Sequence, residues 1–412
     1  MKARRVVITG LGVVSSIGIG AEAFWQSLKS GVSGCTKVTR FDCSANKSQI
    51  NCDVKNFDPG DYLDIKTAKR TSRFIQFALA SAHMAKVDAG LEIEERNGFG
   101  VYIGTGAGGF DALDDTYRIF LQKGPRALGP FAITNVIPNM AASNVAIALG
   151  TNGPCVAPVA ACASGLHAIS DAYLAIKYGL IDEAFAGGAE STITSLVFAG
   201  YDALRVLSQN NDRFEQASRP FDRDRDGFVM GEGAGIILLE EYDAAVRRGA
   251  RIYAEIAAAE LSCDASHITS PDLSGEIIMN TMRNAIVRGN ADLDDVAYIS
   301  AHGTSTSTND MVEAKAIHKL NSELNGDVPV TAIKSMIGHT LGASGALALI
   351  GGVMSLREGL IPPTINTTHY DPAIEPITLV TQPTKFASRK KFVLTNAFGF
   401  GGHNACVLIK KF

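Results

Sequence analysis

The chain has 412 residues, 46% of them hydrophobic and 19% charged, with 41 glycines and a formal net charge of −4. That supplies a large apolar core, in two domains or one α/β unit of two halves, and too little charge imbalance to point to nucleic acid or a membrane surface as partner. The seven cysteines, at 35, 43, 52, 155, 162, 263 and 406, are scattered without a CxxC spacing, which reads as reduced thiols of a cytoplasmic protein, not a disulfide framework or a zinc site.

The opening, MKARRVVITGLGVVSSIGIG, joins a basic start to an apolar run. Thr9, Ser15, Ser16 and several glycines interrupt that run, and no stretch reaches the roughly 18 apolar residues of a membrane span. Val6–Thr9 is therefore expected to be a buried first strand. Gly10-Leu11-Gly12 falls short of a dinucleotide fingerprint, since Ser15 stands at the third glycine, and it reads as a tight strand-to-helix turn. Further along, short β-branched runs at 100–104, 184–188, 236–240, 298–301 and 392–395 alternate with amphipathic helical stretches, which predicts α/β organisation around buried sheets.

The chain is also similar to itself. ASGLHAISDAYLAIKYGLID (163–182) lies without a gap on ASGALALIGGVMSLREGLIP (343–362). VYIGTGAG (101–108) likewise parallels AYISAHGT (297–304), and GEGAGIILLEE (231–241) parallels GGHNACVLIKK (401–411). Three matched pairs in one order predict a duplicated domain with its joint near 245–255, a period far too long for a solenoid.

Within VAACASGLHAIS (159–170) an apolar run gives way to small residues and a helical pattern. A cysteine at such a helix entry meets unpaired N–H groups and the positive end of the helix dipole, which favour a thiolate. From position alone, Cys162 reads equally as a nucleophile and as a buried structural cysteine. His167, five residues on, points about 140° around the helix from it. His302, in YISAHGTSTSTND, and His339, in AIKSMIGHTLGASG, stand at equivalent strand ends, where α/β proteins present functional groups. His339 precedes by three residues the position equivalent to Cys162, so pseudo-symmetric halves should bring the two together. A two-histidine metal site lacks a carboxylate or thiolate at ligand spacing. The stretch NAFGFGGHNACVLIKK (396–411) reads as a hairpin with a bulge leading to a terminal strand. In it Gly399, Gly401 and Gly402 would let backbone N–H groups approach a substrate, and Phe398 and Phe400 could cover an apolar pocket.

Together, ACASG, SRPFDRDRDGFVMGEGAG, AHGTST, KSMIGH and NAFGFGG make essentially the whole chain resemble the β-ketoacyl-acyl-carrier-protein synthases, KAS II type. The resemblance implies an α/β, thiolase-like fold of two duplicated halves, 1–250 with the nucleophile and 251–412 with both histidines, in αβαβα layers. It implies an acyltransferase of fatty-acid elongation: Cys162 takes an acyl group, His302 and His339 promote decarboxylation of malonyl-carrier protein, and Lys334 positions His339. The amides of Cys162 and Phe400 hold the thioester oxygen, and Phe400 gates between the acyl and malonyl steps. Thr304 and Thr306 hydrogen-bond the phosphopantetheine arm, which belongs to the acyl carrier protein, so no cofactor or metal of the enzyme's own is expected. Ala107 and Ile133, the latter from a dimer partner, line the far end of the acyl pocket. Lys66, Lys69, Arg70, Lys123, Arg126 and Arg205 form the docking patch for the acidic carrier. The sequence departs from the family at Ala107, in place of a larger aliphatic residue, at His403, in place of the commoner threonine, and at Ala348, in place of a glutamate. These departures keep open a ketosynthase of a type II polyketide or polyene pathway, paired with a chain-length factor instead of forming a homodimer. A catalytically silent partner subunit is the remaining alternative, and Cys162 weighs against it.

Overall fold

The computed structural model describes residues 3–91 and 98–412. The first half contributes β1 (Val6–Ser15), β2 (Gly100–Gly104), β3 (Cys155–Val156), β4 (Glu183–Glu190) and β5 (Gly233–Glu241). The second contributes β6 (Ala254–Cys263), β7 (Val296–Ser300), β8 (Val330–Thr331), β9 (Phe392–Gly399) and β10 (His403–Lys411). They pair in the order β8-β7-β9-β10-β6-β1-β5-β4-β2-β3. Read inward from either edge, the pairings are parallel, parallel, antiparallel, antiparallel, and β1 meets β6 antiparallel at the centre. This palindrome is the duplication seen in the sequence.

Four helices complete the layers: α1 (Arg73–Asp88), α2 (Ser164–Lys177), α3 (Glu276–Arg288) and α4 (Ser344–Glu358). Helices α2 and α4 pack on each other and on strands of both halves, forming the middle layer, while α1 covers the outside of the first half-sheet and α3 the outside of the second. The result is the αβαβα layering of a thiolase-like fold. Leu166 and Ile169 of α2, Leu347 and Ile350 of α4, Ile237 of β5 and Val407 of β10 are all fully buried in one cluster. At about 1.5–3 kcal/mol for each buried aliphatic side chain, this shared core locks the two halves together. Among the described residues no helix is long and apolar enough to cross a membrane.

The matched segments correspond down to their irregularities. A single 3-10 turn precedes each middle helix, Ala161–Ala163 before α2 and Leu341–Ala343 before α4. Each turn opens with a non-glycine residue of positive φ, Ala161 at 48° and Leu341 at 44°. Such backbone is costly and persists only where its surroundings enforce it.

Three local expectations need correction. Gly10-Leu11-Gly12 is no turn, because β1 runs unbroken through it to Ser15. A Cβ at Gly10 would lie 2.2 Å from the Ala85 carbonyl and one at Gly12 1.8 Å from that of Ser81, so these glycines exist to let α1 lie directly on the strand. The apolar residues before Cys162 form no strand beyond Cys155–Val156, and the chain reaches α2 through the strained 3-10 turn. The terminal hairpin pairs residue for residue from Phe392↔Lys410 to Gly399↔His403, without the expected bulge.

Strand β4 meets the head of α2 and the turn before α4 at Gly188, where a Cβ would come 2.4 Å from the Gly342 carbonyl and 3.0 Å from the Gly165 Cα. Both neighbours are backbone and cannot swing aside. Gly188→Ala is therefore expected to destabilise the protein by about 1–3 kcal/mol, measured as a fall in the urea midpoint with the far-ultraviolet spectrum retained.

Candidate active site

The 3-10 turn at the head of α2 places Cys162 at the bottom of a cavity of about 330 Å³, also lined by His302, His339, Thr304, Thr306 and Phe400. His302 arrives from the loop directly after the parallel strand β7, whereas His339, expected at an equivalent strand end, follows the short helix Lys334–Ile337 that separates it from β8. Both histidines are almost fully buried, and their rings meet edge to face with centroids 5.4 Å apart. Phe398 packs on the His302 ring at 5.6 Å and Phe228 on that of His339 at 5.1 Å.

Hydrogen bonds fix the protonation of both rings. The Leu341 amide donates to His339 Nδ1 at 3.2 Å, and the Ser344 hydroxyl lies 3.0 Å from the same nitrogen. Nδ1 is therefore an acceptor, and the proton sits on Nε2. Lys334 Nζ donates to the His302 carbonyl at 2.6 Å and lies 3.3 Å from His302 Nδ1. An ammonium can only donate, so His302 also carries its proton on Nε2. Burial and the Lys334 charge drive both imidazoles well below their usual range, and for His302 the neighbouring His339 adds to the effect. Both are neutral N–H donors at physiological pH.

Lys334 is itself 3% exposed, and burial pulls it down to about 8, with Glu313 the largest opposing influence, followed by Cys162 and Asp310. Glu313 accepts from the backbone N–H groups of His302 and Gly303, each at 2.7 Å, and so holds the histidine loop by its main chain. Asp310 accepts from the amides of Thr304 at 3.0 Å and Phe221 at 2.9 Å, with Arg225 Nε 3.7 Å away. These acids supply negative charge around Lys334, whereas Ala348 is packed in the apolar middle layer.

Burial pushes the Cys162 thiol up to about 12 and Glu190 adds to that; Lys334 and the backbone N–H groups of Phe400 and Cys162 itself pull the other way. The thiolate expected from the helix entry is thus outweighed by desolvation in the unliganded cavity. The two amides aimed at the sulfur form a ready oxyanion hole. Of the glycines expected to let backbone N–H groups approach a substrate, Gly401 and Gly402 use their own N–H groups within the protein. Gly401 donates to Ile268 at 2.8 Å and Gly402 to Gly399 at 3.1 Å, which leaves the Phe400 amide for the site. Gly399 is there for space: a Cβ would come within 2.5 Å of the Ala160 carbonyl and 3.2 Å of the Cys162 nitrogen.

Thr304 and Thr306, their hydroxyls 2.8 Å apart, line the cavity, and so does Arg205, exposed at its rim. Lys66, Lys69, Arg70, Lys123 and Arg126 are all exposed, and Arg70 lies over the Phe131 ring at 5.1 Å. Ala107 and Ile133 lie outside this cavity in the single chain; Ile133 is 69% exposed. His167 packs edge-on against His403, not Cys162, with centroids 5.8 Å apart, and burial pushes it down to about 4. Sequence reasoning missed Glu190, Glu313, Ser344 and Arg225. The signal available was an acid closing an apolar strand in AGGAE190 and two acids spaced i, i+3 at the start of the helix Ser307–Glu323.

A buried cysteine beneath two aimed amides, faced by two neutral histidine donors at the junction of duplicated α/β halves, defines a condensing acyltransferase of the thiolase-like fold. Residues 3–245 match the model of the β-ketoacyl synthase N-terminal domain and residues 253–368 that of its C-terminal domain. The chain is 42% identical over 414 residues to the 3-oxoacyl-[acyl-carrier-protein] synthase 2 of Synechocystis sp. and 43% identical over 414 residues to that of Coxiella burnetii, covering 100% of this chain and 99% of each relative. Among solved structures it is similar to the ishigamide ketosynthase/chain length factor, with TM-score 0.90, 32% identity and full coverage of both chains. It is likewise similar to a type II PKS ketosynthase bound to the hexaketide in complex with its acyl-carrier protein, with TM-score 0.91, 30% identity and full coverage of both. The chain belongs to the β-ketoacyl synthase family.

Asp310→Asn keeps the shape of a fully buried acceptor that takes two backbone N–H groups but turns one of its oxygens into a donor. A loss of about 1–3 kcal/mol is expected, read as a lower melting temperature with the fold retained.

Proposed function

We propose that the protein is a 3-oxoacyl-[acyl-carrier-protein] synthase of fatty-acid elongation. The observation that carries this is the convergence of Cys162, His302 and His339 on one cavity with both imidazoles fixed as Nε2–H donors. Cys162 Sγ attacks the carbonyl of an acyl thioester presented on phosphopantetheine. The new C–S bond forms as the old one breaks, and the thiol proton leaves with the departing carrier sulfur. The amides of Cys162 and Phe400 hold the negative oxygen of the tetrahedral intermediate.

A malonyl thioester then occupies the same cavity, with Thr304 and Thr306 on its pantetheine arm. Its bond to the carboxyl group breaks, carbon dioxide departs, and the electron pair becomes an enolate whose oxygen accepts from His302 and His339. A cation there would be poorly solvated; two neutral donors stabilise the developing charge without a proton having to move. The nucleophilic carbon attacks the acyl-cysteine, a C–C bond forms, and Cys162 leaves and regains a proton. The product is a 3-oxoacyl thioester two carbons longer. The fatty-acid reading rests on the higher identity of the relatives named for that activity, and a polyketide carrier preferred over the fatty-acid one would overturn it.

The working unit in this reading is a cytoplasmic homodimer. Support comes from β3, which ends the sheet as an open edge with Val156 38% exposed, and from Ile147 and Ile133, 79% and 69% exposed nearby in sequence. Ile133 would then complete the partner's acyl pocket beside Ala107.

Incubation with acyl-carrier-protein thioester followed by peptide mass spectrometry should find the acyl group on Cys162, while His302→Ala and His339→Ala still load acyl but lose malonyl decarboxylation by about 10²-fold or more. Acylation elsewhere, or decarboxylation near the parent rate in either variant, contradicts the reading.

Lys69→Glu combined with Arg70→Glu should raise the apparent KM for carrier protein several-fold, and more at low than at high salt. An unchanged KM would show that the carrier docks elsewhere.

A further inference from the structure

Glu190 closes β4 and is completely buried. One of its carboxylate oxygens accepts from the Thr105 hydroxyl at 2.8 Å and the Ala107 amide at 3.3 Å; the other accepts from the Gly106 amide at 2.7 Å and the Gly342 amide at 2.9 Å. Thr105–Ala107 begins the loop after β2 in the first half. Gly342 belongs to the second half, in the 3-10 turn where it holds the position equivalent to Cys162. The acid therefore joins, through one functional group, the loop that carries Ala107 and the turn that also carries the amide of Leu341, the donor to His339.

The space around it is closed. A Cβ at Gly106 would lie 2.9 Å from Glu190 Oε2 and 3.2 Å from the carbonyl of Ala161, the strained residue before Cys162. A Cβ at Gly342 would lie 2.4 Å from the Gly106 nitrogen and 2.8 Å from Glu190 Oε2. No neutral side chain of this size offers two oxygens to four donors.

We propose that Glu190 is a positioning residue of acyl loading: its carboxylate fixes the loop bearing Ala107 against the Gly342 turn, and its charge acts on the Cys162 sulfur beside them. The proposal rests on Cys162 being the acyl acceptor. Burial outweighs the four donors and pushes Glu190 up to about 7. The titratable groups whose charge couples with it are Cys162, which its negative charge disfavours as thiolate, and Tyr201; Lys334 acts on Cys162 in the opposite sense. Ionisation of Glu190 therefore restrains the sulfur as pH rises through neutrality, and protonation releases it. A residue that only held the backbone would impose no such pH signature.

The test is the rate of Cys162 alkylation by iodoacetamide against pH, with acyl transfer from acyl-carrier protein measured beside it, in the parent dimer and in Glu190→Gln. The parent's logarithmic rate should bend downward around pH 7 as Glu190 ionises, and Glu190→Gln should keep only the later bend near pH 8 that loss of the Lys334 charge gives both proteins. Acyl transfer in Glu190→Gln should fall about tenfold as one of the two accepting oxygens becomes an NH2 group facing backbone N–H donors. Superimposable alkylation curves, or acyl transfer within about twofold of the parent, overturn the proposal. Should Glu190→Gln fail to fold, Thr105→Val keeps the carboxylate and removes one donor to it. The bend should then move to higher pH, and a bend that stays in place overturns the proposal. A parent protein that is never acylated on Cys162 would instead refute the assignment of the nucleophile, and the two failures are thereby distinct.

Discussion

The ammonium of Lys334 is the group on which the site turns. It is buried where an unpaired cation would cost several kcal/mol, and the site meets that cost with a main-chain carbonyl, an imidazole nitrogen and the nearby acids Glu313 and Asp310. In return it fixes the tautomer of His302, lowers the proton affinity of both histidines and pulls on the Cys162 sulfur. Burial and this one charge together keep two bases neutral, and the charge also pulls one acid toward ionisation. The arrangement suits a reaction that must develop negative charge on oxygen without prior protonation of the enzyme.

The duplicated architecture explains how these groups meet. The two middle helices begin side by side, one with Cys162 and the other with Gly342 at the same structural position. One half has kept a side chain able to carry an acyl group; the other has kept an amide that binds an acid. His339 comes from the chain just before the second turn and is anchored by that turn's own Leu341 amide. Strain at Ala161 and Leu341 is shared by both halves and belongs to this junction, where the backbone must reverse within a closely packed layer.

Much of this was legible in the chain. The repeat at 163–182 and 343–362 located both middle helices and, at their entries, Cys162 and His339, and the end of the strand before His302 located that residue, because those signals are local and periodic. What escaped depends on contacts between distant segments. Strand β6, AEIAAAELSC, has the alternation of a half-buried strand but is rich in alanine, which strand propensity disfavours. Gly10 and Gly12 looked like a turn because the helix 70 residues later that demands them is invisible to a local reading. Glu190 and Glu313 read as ordinary acids until folding shows four and two backbone or hydroxyl donors converging on them. The thiol showed the limit most clearly, since a helix entry argues for a thiolate while the depth of the cavity, which only the fold reveals, argues more strongly for the thiol.

The central claim is that both histidines stand neutral, with Nε2 protonated, across the working pH range. Nitrogen-15 histidine spectra of the intact protein, with His302→Gln and His339→Gln used for assignment, test it directly. The two signals should keep the chemical shifts of Nε2–H neutral imidazole from about pH 5.5 to 7, a window that brackets the ordinary histidine midpoint and stays below that of Lys334, at about 8. A ring that titrates near its ordinary midpoint of about 6.5, or that carries its proton on Nδ1, would contradict the account.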